Sequence, residues 1–141
     1  MDVISAPSVK AVERAVQRDS GRTTIIDTPP GHEGLVRTAL ERADVVVIPT
    51  RVGGVEVGRV QTTIAMIPNG VPFGLVIVSA RISTRDFRET VMAWNEVGVK
   101  VLGVVPERVS IASGPDAGLN PDGMEAYGMV WLSIKNLRKA A

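Results

Sequence analysis

The residue best suited to chemistry in this chain is Asp27, within Thr23-Thr-Ile-Ile-Asp27-Thr-Pro-Pro-Gly31. An apolar run ends there on a carboxylate and passes at once into a Pro-Pro-Gly turn. At the carboxyl end of a buried strand, such an acid faces the crevice where open α/β sheets bind ligands. It can hold Mg²⁺, usually through water, beside bound phosphates. Pro29 and Pro30 stiffen the turn, and Gly31 lets a backbone N–H approach a terminal phosphate that a Cβ would keep away. The same residues admit a plainer role, with Asp27 capping the next helix and the prolines turning the chain. A second run, Asp44-Val-Val-Val-Ile-Pro49-Thr50, follows one helix length later and favours the ligand-binding role.

Other polar groups are sparser. Gly53-Gly-Val-Glu-Val-Gly58-Arg59-Val60 has the G-x4-G spacing of a phosphate loop. It offers Arg59 in place of lysine, and a valine that cannot bind Mg²⁺ where the motif needs Ser or Thr. The plainer reading is the start of a helix. Arg81, Arg85 and Arg88 gather at one helix start, and Lys135, Arg138 and Lys139 lie on the last helix. Either group could form a local basic patch, or simply a solvated helix face. His32 follows the Pro-Pro-Gly turn, where it could meet a phosphate or stand exposed at a helix start.

Composition narrows the chemistry. The chain lacks cysteine, which removes disulfides, thiolate metal sites and cysteine nucleophiles. Its one histidine argues against a histidine-based metal centre or catalytic triad. A net charge of +1 excludes polyanion binding by bulk charge, leaving only local patches. No apolar stretch approaches the ~20 residues of a membrane helix, and the first residues lack the features of a signal peptide, so no membrane is expected and the cytoplasm is the expected compartment.

The elements that must position these residues alternate β-branched runs with helical patterns, which predicts an α/β fold: a mostly parallel sheet flanked by helices on both faces. Expected strands are Val3–Ser5, Thr23–Asp27, Val45–Pro49, Gly74–Ser79 and Val101–Val105. Expected helices are Pro7–Asp19, Gly34–Arg42, Val55–Ile67, Ser83–Val97 and Pro121–Lys139, separated by stop signals at Gly21, Pro68-Asn-Gly70 and Gly98. Ser83 with Asp86 resembles a capping box. Phe87, Val91, Trp94 and Val97 should face the core, as should Trp131, Leu132, Ile134 and Leu137; a membrane-lying last helix is the lesser alternative. Val105–Gly123 reads as an ordered connection. A length of 141 residues suits one domain, expected to span 1–141.

Ile25-Ile-Asp27-Thr-Pro-Pro-Gly31 followed by Ala43-Asp44-Val-Val-Val-Ile-Pro49-Thr50 resembles the ParA/MinD group of deviant-Walker P-loop ATPases. Val76-Ile-Val-Ser79-Ala-Arg81 resembles that family's strand and loop that usually offer an Asn to adenine, and Val104-Val-Pro106-Glu-Arg108-Val through Gly118 resembles its late base-flanking loop. The resemblance covers the later portion of a P-loop NTPase-like fold, incomplete at the N-terminus. It implies ATP and Mg²⁺ as cofactors, with Asp27 and Gly31 as the catalytic switch residues and Asp27 near the metal. Pro30, Ser79, Pro106 and Arg108 would contact the nucleotide. Arg81, Arg85, Arg88, Lys135, Arg138 and Lys139 become candidate DNA contacts. The family's Gly-Lys phosphate loop is missing from these residues, and position 79 carries Ser in place of Asn.

A truncated or split ParA-like protein is therefore expected: a partition or positioning ATPase, or its C-terminal part. It would pair with itself or with a ParA-like chain, answer to a ParB-like adaptor and move on non-specific DNA. A non-catalytic module that regulates a full-length relative is the alternative. Metabolic relatives such as the cobyrinate amidase or dethiobiotin synthase group rank last, since no substrate-binding residues for them stand out.

Overall fold

The computed structural model describes residues 6–18, 22–29, 31–112 and 120–139. Its helices and strands in chain order are α1 (Val9–Arg18), α2 (Glu33–Arg42), β1 (Val46–Thr50), α3 (Gly54–Met66), β2 (Phe73–Ala80), α4 (Arg85–Glu96), β3 (Val101–Pro106), α5 (Val109–Ala112) and α6 (Pro121–Lys139). They group into two compact units, Met1–Ala43 with Met66–Asn69, and Asp44–Ala65 with Gly70–Ala141.

In the first unit α1 packs on α2. Ser8 opens α1, its hydroxyl accepting from the Ala11 N–H at 3.3 Å. Val12 is buried, and Glu13 pairs with Arg42 across the two helices at 3.6 Å. The expected strand at Thr23–Asp27 does not form: residues 22–29 carry no regular structure, and Ile25 is 76% exposed. The β-branched run supplies strand propensity, but propensity of that kind becomes a strand only when a neighbour pairs with it and covers a face. The expected strand Val3–Ser5 and the stop at Gly21 lie outside the described residues.

The second unit is built on a three-stranded parallel sheet in the order β1-β2-β3. Val46 pairs with Phe73 and Thr50 with Ile77; Leu75 pairs with Val101 and Ala80 with Pro106. Four consecutive residues of β2, Gly74 to Ile77, are buried, as in a central parallel strand covered on both faces. Successive side chains alternate faces. Val76 joins Leu102, Val105 and Val130 of α6 in one core cluster, while Leu75 and Ile77 on the opposite face are fully buried. The α6 backbone comes close because β3 carries Gly103: a Cβ there would lie 2.7 Å from Val130 Cγ2. β1 lies at the edge, with Val47 36% exposed and Pro49 within it, a residue tolerated where no ladder donor is needed.

Helix ends follow local rules. Thr84, rather than Ser83, caps α4: its hydroxyl accepts from the Phe87 N–H at 3.3 Å and donates to the Arg81 carbonyl at 2.8 Å. The expected Ser83–Asp86 capping box is therefore not used. At the other end the Gly98 N–H reaches the Asn95 carbonyl at 3.0 Å and the Val99 N–H the Trp94 carbonyl at 2.9 Å, with Gly98 at φ 76°, a Schellman stop that needs glycine. Trp94 is buried as expected, but Val97 is 68% exposed because it falls on the capping turn. Ile134 and Leu137 pack on the core, whereas Trp131 and Leu132 point the other way and are exposed. Among the described residues no helix is long and apolar enough to cross a membrane.

Candidate functional site at the carboxyl edge of the sheet

Parallel strands deliver their carboxyl ends to one edge, and each strand of this sheet is followed there by an arginine. Arg51 follows β1, Arg81 follows β2, and Arg108 comes two residues after β3. Ligands of open α/β sheets bind outside such an edge.

The centre of that edge is irregular. The pairing of β2 with β3 shifts between Ile77 and Ala80, and Ser79 within the shift adopts φ 51°. A left-handed backbone at a residue other than glycine is strained, and such positions collect at functional sites. Ser79 is exposed, while its neighbour Ala80 is buried. The Glu107 N–H donates to the Ala80 carbonyl at 2.9 Å and carries the ladder one residue past β3.

Ion pairs hold the rim. Arg81 donates to Glu107 and keeps the Glu107 carboxyl below its ordinary range; desolvation opposes this, and the weaker field of Arg51 adds to it. The carboxylate in turn raises the Arg81 guanidinium further. Beside them, Asp122 at the start of α6 accepts from the Ser110 hydroxyl at 2.6 Å and from Arg108 at 2.6 Å. Those partners hold the Asp122 carboxyl low, with the Ser110 hydrogen bond the largest cause. Asn120 donates to the Ser110 carbonyl and accepts from the Gly123 N–H at 2.8 Å, so it caps α6 and ties α5 to it.

The residues named from sequence therefore separate into two sets. Ser79, Pro106 and Arg108 share the carboxyl edge in the sheet unit. Asp27 and Gly31 belong to the helical unit, so Asp27 does not end a strand of this sheet. Gly31 is exposed, with φ 81° and no atom within 4 Å of where a Cβ would stand. Pro30 lies outside the described residues, as do residues 113–119 of the late connection. His32 is the exposed residue preceding α2, with no side-chain capping bond. Arg51, Glu107, Ser110, Asn120 and Asp122 are not among the residues expected from sequence. Their signal is the recurrence of an arginine after each apolar run, and the Asn-Pro-Asp start of the last helix.

A triphosphate finds no cradle among these groups. Gly53 and Gly54 do lead into α3, but Arg59 turns to Glu56 at 3.1 Å and Val60 is buried. The cleft beside this loop carries Asp86 and Glu89, whose charge opposes phosphate. Among the described residues no three His, Cys, Asp or Glu side chains converge as metal ligands.

The candidate DNA contacts are partly engaged within the chain. Arg81 pairs with Glu107, Arg85 with Glu89 at 2.6 Å, and Arg138 with Asp44 at 3.4 Å. Lys135 lies over the Trp131 ring, 6.0 Å from its centroid. No family model, no curated protein and no solved structure matches this chain.

Proposed function

We propose that this chain is the base-side part of a ParA-like partition or positioning ATPase, unable to hydrolyse ATP by itself. The observation that carries the reading is the division of the site. Ser79, Pro106 and Arg108, the positions that the resemblance assigns to the base, share one sheet edge. Asp27 and Gly31, the positions it assigns to γ-phosphate and Mg²⁺, are not part of that sheet, and no phosphate loop stands beside it among the described residues. Mg-ATP-linked dimerisation, a ParB-like adaptor and movement on DNA belong to the same proposal. The missing cradle favours a second reading, a non-catalytic module that pairs with a ParA-like chain bearing its own phosphate loop.

Calorimetric titration with ATP and Mg²⁺, together with a phosphate-release assay, tests the proposal. The isolated 141-residue chain is expected to release no phosphate, and any adenine-nucleotide binding should be weak and reduced by Arg108→Ala. Magnesium-dependent turnover abolished by Asp27→Ala would overturn the non-catalytic assignment. Nucleotide binding unaltered by Arg108→Ala would remove the base-side assignment. Co-purification with a loop-bearing ParA-like chain, without nucleotide binding, would select the second reading.

A further inference from the structure

α6 is apolar on two sides. Val130 is buried, with Ala126, Ile134 and Leu137 packed beside it in the core. On the far side Met124, Gly128, Trp131, Leu132 and Lys135 share a face by their spacing of three and four residues. Met124 is 63% and Leu132 51% exposed there. A soluble helix that is apolar all round is ordinarily covered. Gly128 stands in the middle of this face, and a Cβ added to it would meet no atom within 4 Å. Packing inside the chain does not require glycine, which weakens a helix interior; its absence of a side chain leaves the backbone open to another surface. Lys135 and Lys139 add positive charge to the carboxyl-terminal end of the same face, and the exposed Glu125 lies at its other end beside Met124.

The same unit holds an opposite surface. A cleft of about 460 Å³ opens between α3 and α4. Val57, Ala93, Trp94 and Val97 give it an apolar lining, and Asp86 and Glu89 make it acidic. Glu89 is already paired with Arg85, whereas Asp86 has no ion pair among the described residues. The carboxyl-terminal half of the helix face is apolar and cationic; the groove is apolar with Asp86 as its uncompensated charge.

We infer that α6 of one copy of this chain docks in the α3–α4 groove of a second copy. Trp131 and Leu132 fill the apolar lining, and Lys135 and Lys139 meet Asp86 and Glu89. Pairing α6 with another α6 fits less well, because it sets the lysine-bearing faces together and leaves the acidic groove uncovered. Because helix and groove are different patches, the contact is heterologous: each bound copy keeps a free helix or a free groove, and association continues into a chain or closes as a ring. The inference does not depend on ATP binding.

Sedimentation over a range of concentrations tests it with variants at exposed positions. Ala93→Arg blocks the groove and Leu132→Glu opposes the helix face; circular dichroism checks that each remains folded. The unaltered chain is expected to grow in mass with concentration beyond the monomer. Each variant alone should sediment as a monomer. Their equimolar mixture should give a dimer that grows no further, since one copy keeps the helix and the other the groove. A variant that unfolds is replaced by Lys135→Glu with Lys139→Glu, which should weaken association at low salt. An unaltered chain that stays monomeric, a groove variant that still associates fully, or a mixture that stays monomeric would each overturn the inference.

Discussion

Ser79 is the residue at which local geometry and sequence disagree most. Its φ of 51° places an L-residue in a conformation that costs about 1–2 kcal/mol. Glycine adopts it without a Cβ clash but loses ~0.5–1 kcal/mol of backbone entropy on folding. Ser79→Gly should therefore leave stability unchanged or raise it by up to about 1 kcal/mol, and Ser79→Val should lower it by about 1–2 kcal/mol, because a branched side chain is the least tolerated there. Urea midpoints of the three proteins check the order. Glu107 and Asp122 make a second residue-scale case. Both carboxyls are held below their ordinary values of 4.5 and 3.8, by Arg81 and by Ser110 with Arg108. A carboxyl lowered in the folded state adds stability above its ordinary value, and that contribution disappears as pH falls through the lowered value. The urea midpoint should therefore drop as the solution is acidified below pH 4.5, and the drop should be shallower in Glu107→Gln. Both groups are open to solvent, so the effect should shrink further in high salt.

Among the elements, the legible ones were those whose signal is local or whose apolar run is long. The helix over Pro121–Lys139 has its expected bounds, since Asn120-Pro121 starts it. β1, β2 and β3 lie within a residue of their expected spans because β2 is buried through its middle and β1 and β3 each pair along one of its edges. The run at Thr23–Asp27 reads much the same in sequence, yet remains exposed and unpaired as a strand among the described residues. What distinguishes it is a pairing partner, which no local pattern encodes. Which side of α6 faces the core was equally illegible, because both sides are apolar. Glycines separate the two sides. Gly103→Ala would press a methyl against Val130, 2.7 Å away, and should cost about 1–3 kcal/mol by forcing α6 off β3. Gly128→Ala meets open space and should stabilise the chain by ~0.5–1 kcal/mol through helix propensity. Thermal and denaturant unfolding of the two variants should move in opposite directions.

At the scale of the whole molecule, charge decides what the candidate site and surfaces can bind. The net charge of +1 was legible at once, but the pairing of individual charges was not, because Arg81–Glu107, Arg108–Asp122 and Arg138–Asp44 join residues brought together only by the fold. That pairing bears on DNA. Of the six basic residues read as candidate contacts, Arg81, Arg85 and Arg138 are tied to carboxylates, which leaves Arg88, Lys135 and Lys139 without an ion pair among the described residues. Each phosphate neutralised steepens the fall of log affinity with log salt by about 0.9. Contacts limited to the three unpaired cations should therefore give a slope no steeper than about −3, with little binding retained near physiological salt. A slope approaching about −5 would mean that the ion pairs open to serve phosphate, and that the rim of the sheet rearranges on DNA. Fluorescence anisotropy of a labelled duplex across salt concentrations measures the slope directly. Lys139→Ala should flatten it by about one unit if α6 makes the contact, and leave it unchanged if Arg88 alone does.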